Sequence, residues 1–188
     1  MHMMTDRARV RPGDWVLVMG ASSGVGSAAI QIARELGARV ISTASSEAKR
    51  ELGLSLGAHH IVDIREGNWP EEIRRITGKR GVDLVVEHIG GSILTKAFEC
   101  LARGGTVVTC GATAGRNIEL NLWPIFVKQQ RLVGSYGRNR LDIEATLQWA
   151  SQGKLKAVVD RIFPLAQTAD AFAHLRSRNV LGKILVKP

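Results

Sequence analysis

Residues 15–38 read WVLVMGASSGVGSAAIQIARELGA, and the three parts of this stretch follow different rules. From Trp15 to Met19 every residue is apolar, as in a strand buried on both faces of a sheet. From Gly24 onward Val25, Ala28, Ala29, Ile32 and Leu36 recur at helical spacing, and Gly37 closes the helix where a left-handed residue is favoured. Between strand and helix lies the glycine-rich turn GASSGVG. Such a turn lets the backbone approach a phosphate, and the free N–H groups at the helix start bind it. Gly24 and Gly26 open the helix, and Ser22 and Ser23 add hydroxyl donors next to Val25. The strict G-x-G-x-x-G spacing is not met, because Ala21 and Ser23 stand where glycines belong. A strand–turn–helix junction can also need glycine for packing alone, so the place of the turn in the chain decides between the two roles.

The remaining sequence supplies that place. RVISTA (39–44) and HIVD (60–63) are strands, and the helices at 46–56 and 69–77 stop at Gly57 and Gly78. The plan then repeats: VDLVVEHIG (82–90) is a strand, 92–102 a helix, GGTVVTCG (104–111) a strand, 122–130 a helix and RLVGSYG (131–137) an outer strand. Strands separated by helices imply crossovers and hence a parallel sheet covered on both faces. Two βαβαβ halves predict an α/β, doubly wound Rossmann sheet over residues 10–137, with strand order 3-2-1-4-5-6. The turn then follows the first strand of a βαβ unit, which makes phosphate binding the expected role. After Gly137 the pattern loosens into a helix at 142–154, an extended run at 157–165, a helix at 167–178 and a strand at 183–187. The segment 138–188 is not expected to extend the sheet.

Composition narrows the functional classes. The chain has 188 residues, 45% hydrophobic and 23% charged, enough for a proper core. No apolar run is long enough to span a bilayer, and MHMMTDRARV lacks the apolar centre of a signal peptide. Cys100 and Cys110 are too few for a disulfide framework, so the expectation is a cytoplasmic protein with no membrane partner. The net charge of +9 raises the question of nucleic acid, but the basic residues are scattered among acids and aromatics make up only 5%. That pattern describes a solvated surface and no nucleic-acid partner. Adjacent His59 and His60, like Glu87 and His88, point to opposite faces of a strand, and His2 and His174 are isolated in sequence, so no metal site is expected. Cys110 reads as a small buried residue at a strand end rather than a reactive thiol.

The spacing of Gly20, Gly24 and Gly26 resembles the short-chain dehydrogenases. Those enzymes need a tyrosine with a lysine four residues later, whereas the sole tyrosine, Tyr136, is followed at that distance by Arg140. The wider sequence instead resembles the medium-chain dehydrogenase/reductase superfamily, in particular its quinone oxidoreductase-like and zinc-type alcohol dehydrogenase-like members. The stretches that carry this are RPGDWVLVMGASSGVGSAAIQIARELGARVI, LGAHHIVD, GVDLVVEHIGG, CLARGGTVVTCGATAG, KQQRLVGSYG, GKLKAVVDRIFPL and the terminal GKILV, in family order. The resemblance implies that a substrate domain of comparable length precedes these residues and supplies any catalytic zinc ligands. It also implies that the segment after Gly137 packs on that domain and leaves apolar surface uncovered without it. On this reading the chain holds no catalytic residue of its own, binds no zinc, and is expected to turn over negligibly alone.

NAD-binding folds place an acid about 20 residues past the glycine turn, where it accepts hydrogen bonds from the adenosine ribose. Here Ala44 takes that position, and no Asp or Glu lies between Arg39 and Ser46. Ser45, Ser46 and Lys49, with Arg50 as a further candidate, suit the 2′-phosphate of NADP, and NAD is the less favoured cofactor. Ser46 also fits a plain helix cap, with Lys49 an ordinary surface lysine. Several NADPH-binding relatives carry a tyrosine after the third strand, where this chain has Ile64. Ligands of doubly wound sheets sit at the carboxyl ends of the strands, so Ile89, Gly90, Gly111 and Ala112 are expected on the nicotinamide side. The resemblance further implies a homodimer through the edge strand near 131–136. The expected activity is hydride transfer between NADPH and a small carbonyl, quinone or activated alkene. Two alternatives are a non-enzymatic NADPH-binding module or redox sensor, and an enoyl-reductase segment of a larger synthase.

Overall fold

A computed structural model describes residues 1–137 and 139–188; Arg138, the first residue of the predicted C-terminal segment, lies outside the described residues. Six parallel strands make the main sheet: β1 (Trp15–Val18), β2 (Arg39–Ala44), β3 (His60–Asp63), β4 (Val82–Glu87), β5 (Leu101–Thr109) and β6 (Arg131–Gly134). Their order is β3-β2-β1-β4-β5-β6, the doubly wound arrangement expected, with β1 paired to β2 at Val16↔Val40 and to β4 at Val16↔Leu84. The helices between them are α1 (Gly24–Glu35), α2 (Glu47–Ser55), α3 (Trp69–Ile76), α4 (Gly91–Glu99) and α5 (Leu122–Val127).

Alternation along the strands builds two cores, because successive side chains leave a strand on opposite faces. Val16, Val18 and Val40 pack on one face against Ile30 and Ala33 of α1. Leu17, Met19 and Ile41 pack on the other against Trp69 and Ile73 of α3 and Leu94 and Phe98 of α4. Each helix therefore needs one apolar stripe, while the central strands need none of the polar alternation of a half-exposed sheet.

Two boundaries differ from the sequence reading. The helix expected over 92–102 ends at Glu99, and β5 begins at Leu101, paired with Val82. Gly81 causes this: its backbone, at φ +90°, lies so close to Cys100 and Ala102 that a Cβ would come within 2.6 Å of the Cys100 carbonyl oxygen. The close approach leads β4 directly alongside Leu101 and draws that residue into the sheet. At the N-terminus, Met3–Arg7 forms one wide helical turn that buries Met4, an element with too little length to register as a period.

Beyond Gly137 the chain leaves the main sheet. Helix α6 (Arg140–Ser151) is followed by β7 (Val159–Pro164), helix α7 (Thr168–Arg176) and β8 (Lys183–Lys187), and β7 pairs with β8 in a separate two-stranded parallel sheet. Exposed large apolar side chains include Leu141, Ile143 and Leu147 on α6 and two further groups. Leu122, Trp123, Phe126 and Leu132 lie on α5 and the edge strand β6, and Ile162, Leu165, Phe172, Leu175 and Leu185 lie on the last elements.

The amino end of the sheet is held by Asp83. Its carboxylate accepts the Trp15 N–H at 2.9 Å and the Arg80 Nη1–H at 2.8 Å, joining the starts of β1 and β4. Burial alone would raise this carboxyl, but the Arg80 and Trp15 hydrogen bonds with the charges of Arg80 and Arg39 outweigh it and hold it below its usual range. A depressed carboxyl contributes stability above its unfolded value of about 3.9 and loses it as pH falls through the folded value. Asp83→Asn is therefore expected to lower unfolding stability by about 1–2 kcal/mol at pH 7. In urea melts the gap from wild type should be full above about pH 5 and narrow below about pH 4.

Candidate functional site

The glycine turn is set by backbone contacts that only glycine permits. A Cβ on Gly26 would collide with the Gly20 carbonyl oxygen, and Gly20 itself has φ +68°. The second strand fixes the turn from the side: Gly20 N–H donates to Thr43 Oγ1 at 2.8 Å, and Ala21 N–H donates to the Thr43 carbonyl at 2.8 Å. Ser23 caps α1, its Oγ accepting the Gly26 N–H at 2.8 Å. No acid occupies the first turn of α1, so the positive end of the helix is not neutralised from within the helix.

A cleft of about 520 Å³ opens over this turn. Ser22, Ser23 and Gly24 form its floor, and Ser45 and Lys49 come from the end of β2 and the start of α2. The opposite wall comes from the C-terminal segment, through Arg178, Val180, Gly182 and Lys183. That wall is docked on the turn: Gly182 N–H donates to the Ser22 carbonyl at 2.8 Å, and a Cβ on Gly24 would strike the Lys183 side chain. Lys49 Nζ donates to the Arg178 carbonyl at 2.6 Å and reaches Ser45 Oγ at 3.4 Å. The cleft thus gathers three cations, Lys49, Arg178 and Lys183, and among the described residues no carboxylate lines it. Sequence reasoning missed Thr43, Arg178 and Lys183; a GK pair in the terminal GKILV was the one visible signal for the last.

The other predicted residues fall in three places. Ile89, Gly90, Gly111 and Ala112 meet at the carboxyl ends of β4 and β5, where Gly90 and Gly115 form a bridge and Gly90 passes within van der Waals distance of Ala112. They line the turns beyond the cleft rather than its walls. Fully buried Glu87 shapes this end: Oε1 accepts the Ile89 N–H at 2.6 Å and the Gly90 N–H at 2.8 Å, and Oε2 accepts from the Thr109 hydroxyl at 3.2 Å. Val25 borders a second hollow of about 660 Å³ with Cys110, Ser135 and Thr146. Ser46 stays outside the cleft and accepts the Lys49 N–H as the cap of α2, while Arg50 Nη1 donates to the Ile61 carbonyl.

Cys110 differs from the expectation of a buried residue. Strand β5 ends at Thr109, and Cys110 emerges exposed at the sheet's carboxyl edge. Partial desolvation of the thiol, with a further push from Glu87, raises its pKa and disfavours the thiolate. His2 and His174, isolated in sequence, stand 2.9 Å from Asp142 and 2.6 Å from Asp160. Among the described residues no three His, Cys, Asp or Glu side chains come together as metal ligands, and no helix is long and apolar enough to cross a membrane.

Residues 24–152 match the model of the zinc-binding dehydrogenase family. The chain belongs to that family. Among curated proteins it is 31% identical to a 2-haloacrylate reductase from Burkholderia sp, an alignment covering 100% of this chain and 59% of that protein. It is 32% identical to a Homo sapiens quinone oxidoreductase, over 95% of this chain and 56% of the relative. A phenolphthiocerol/phthiocerol polyketide synthase chain of Mycobacterium tuberculosis matches at 30% over 98% of the present chain, which equals 9% of that protein. Among solved structures, an NAD-dependent alcohol dehydrogenase superposes at TM-score 0.94 with 40% identity, covering the whole chain and 55% of the other. A crotonyl-CoA carboxylase/reductase in complex with NADP superposes at 0.87 with 26% identity, over 96% of this chain and 51% of that one. The chain thus spans little more than half the length of the single-enzyme relatives, and what it shares with the medium-chain dehydrogenase/reductase superfamily is the C-terminal, nucleotide-binding part.

Proposed function

We propose that this chain is the cofactor-holding part of an NADPH-dependent oxidoreductase acting on a small carbonyl, quinone or activated alkene. The observation that carries the reading is the cleft over the start of α1, with three cations and, among the described residues, no carboxylate in its lining. A dinucleotide diphosphate needs a cluster of donors and a positive field, which the α1 N-terminus, Ser22, Ser23 and Lys183 supply. A 2′-phosphate needs a cation at the end of β2 and no acid there, and Lys49 with Ser45 and Arg178 fits that requirement, with Ala44 in the acid's position. The solved relatives include both an NAD-dependent and an NADP-bound protein, so it is this local charge that favours NADP. When bound, the nicotinamide supplies the hydride, and Ile89, Gly90, Gly111 and Ala112 border its end of the groove.

Substrate selection belongs, on this reading, to a domain supplied by the part of the relatives that the chain does not span, packed on Ile162, Leu165 and Phe172. A homodimer through the unpaired edge of β6 is supported by the exposed Leu122, Trp123 and Phe126 beside it. Two free cysteines suit a reducing, cytoplasmic compartment. The polyketide synthase match favours a second setting, the same fold serving as an enoyl-reductase segment of a larger chain. Lys49→Ala tests the cofactor assignment. Calorimetry is expected to show NADPH affinity falling about tenfold with NADH affinity unchanged; equal losses for both cofactors would remove Lys49 from the 2′-phosphate site.

A further inference from the structure

His88 stands just past β4, and its ring reaches across to the glycine turn. Nε2 lies 3.0 Å from the Met19 carbonyl oxygen and 3.1 Å from Ser23 Oγ. A carbonyl oxygen can only accept, so Nε2 carries its single hydrogen and shares it between the Met19 carbonyl oxygen and Ser23 Oγ. Ser23 Oγ already accepts the Gly26 N–H at 2.8 Å. The shared His88 hydrogen faces its remaining lone pair. What is left to Ser23 is its own O–H, which meets no acceptor among the described residues and belongs to a side chain that lines the cationic cleft.

We propose that His88 is a positioning residue for anion binding: by donating from Nε2 it makes the Ser23 hydroxyl a dedicated donor to a diphosphate oxygen. This rests on the nucleotide reading of the cleft. Without the imidazole the hydroxyl is free to rotate, and the cleft loses an aligned donor. Glu87, the adjacent residue, braces the turn after β4 and the end of β5, so neighbouring residues of one strand end serve the two sides of the groove.

The test is a double-mutant cycle on the purified chain, read by calorimetric titration with NADPH and with adenosine 2′-monophosphate, which lacks the diphosphate. Ser23→Ala and His88→Ala are each expected to weaken NADPH binding about tenfold, and the double variant to bind no more weakly than Ser23→Ala alone. His88→Gln places an amide N–H near the Nε2 position and is expected to stay within about twofold of wild type. Adenosine 2′-monophosphate should bind all variants equally. Wild-type NADPH affinity in His88→Ala, additive losses, or a His88→Gln loss as large as that of His88→Ala would each overturn the proposal. Should His88→Ala not fold, His88→Asn, whose shorter amide stops short of Ser23, takes its place with the same expected loss. If the wild-type chain bound neither ligand, the nucleotide reading itself would fall; if it bound both and the cycle came out additive, only the role of His88 would.

Discussion

Gly26→Ala is expected to abolish measurable NADPH binding and to lower unfolding stability by about 3 kcal/mol. The added methyl has no route around its obstacle, because the atom it meets is the Gly20 carbonyl oxygen, part of a backbone held by Thr43 on β2. Relief requires either α1 to move off the sheet or the turn to open. The first strips packing from Ile30 and Ala33, and the second disperses the N–H groups that face the cleft. A displacement on the order of 1 Å at an aligned site costs roughly a hundredfold. Gly24→Ala makes the informative contrast. Its methyl meets only the end of the flexible Lys183 side chain, so the fold should survive while the cleft narrows. Urea unfolding and NADPH titration of the two variants together check the argument, and a Gly26→Ala protein as stable as Gly24→Ala would refute it.

Glu87→Ala is expected to be the most destabilising change at the other end of the groove, by about 2–4 kcal/mol. The side chain is fully buried, and its loss leaves the Ile89 and Gly90 N–H groups without their acceptor, the Gly90 N–H away from water, while the Thr109 hydroxyl keeps the Gly111 carbonyl. Each stranded donor costs about 1–3 kcal/mol unless the turn rearranges to reach solvent. Rearrangement carries its own penalty, since Gly90 is locked at φ +77° against the Gly115 carbonyl and Ala112. Glu87→Gln retains a carbonyl oxygen for the two backbone donors and should recover more than half of the loss. Denaturant midpoints for the three proteins, at constant m-value, decide it; an alanine variant within about 0.5 kcal/mol of wild type would show that the turn does not depend on the carboxylate.

How much of this was legible in the sequence depends on how local each cause is. The passage from β1 to α1 was readable because an unbroken apolar run gives way to helical spacing across four residues rich in glycine and serine. Strand order followed from reading the alternation as two successive βαβαβ halves. Leu101 was misplaced because its extended conformation is imposed by the backbone of Gly81 and Val82, which no window around residue 101 reveals. The same distinction divides the candidate site. Ser22, Ser23, Gly24 and Lys49 announce themselves within one βαβ unit. Arg178 enters the cleft from 129 residues beyond Lys49, guided by Gly182 N–H on the Ser22 carbonyl, a contact without a sequence period. Ser46 was legible as both a ligand and a cap, and the geometry of α2 uses it as a cap. Cys110 lies exposed in the open hollow that it shares with Val25, Ser135 and Thr146, which no sequence window reveals.

The central claim is that the charge gathered over the glycine turn selects a 2′-phosphorylated dinucleotide. Isothermal titration of the purified chain with NADPH and with NADH, at one fixed ionic strength, tests it most directly. Saturable binding of NADPH at least about tenfold tighter than NADH is expected, in line with a charge-assisted contact from Lys49. Equal affinities, or a preference for NADH, would contradict it.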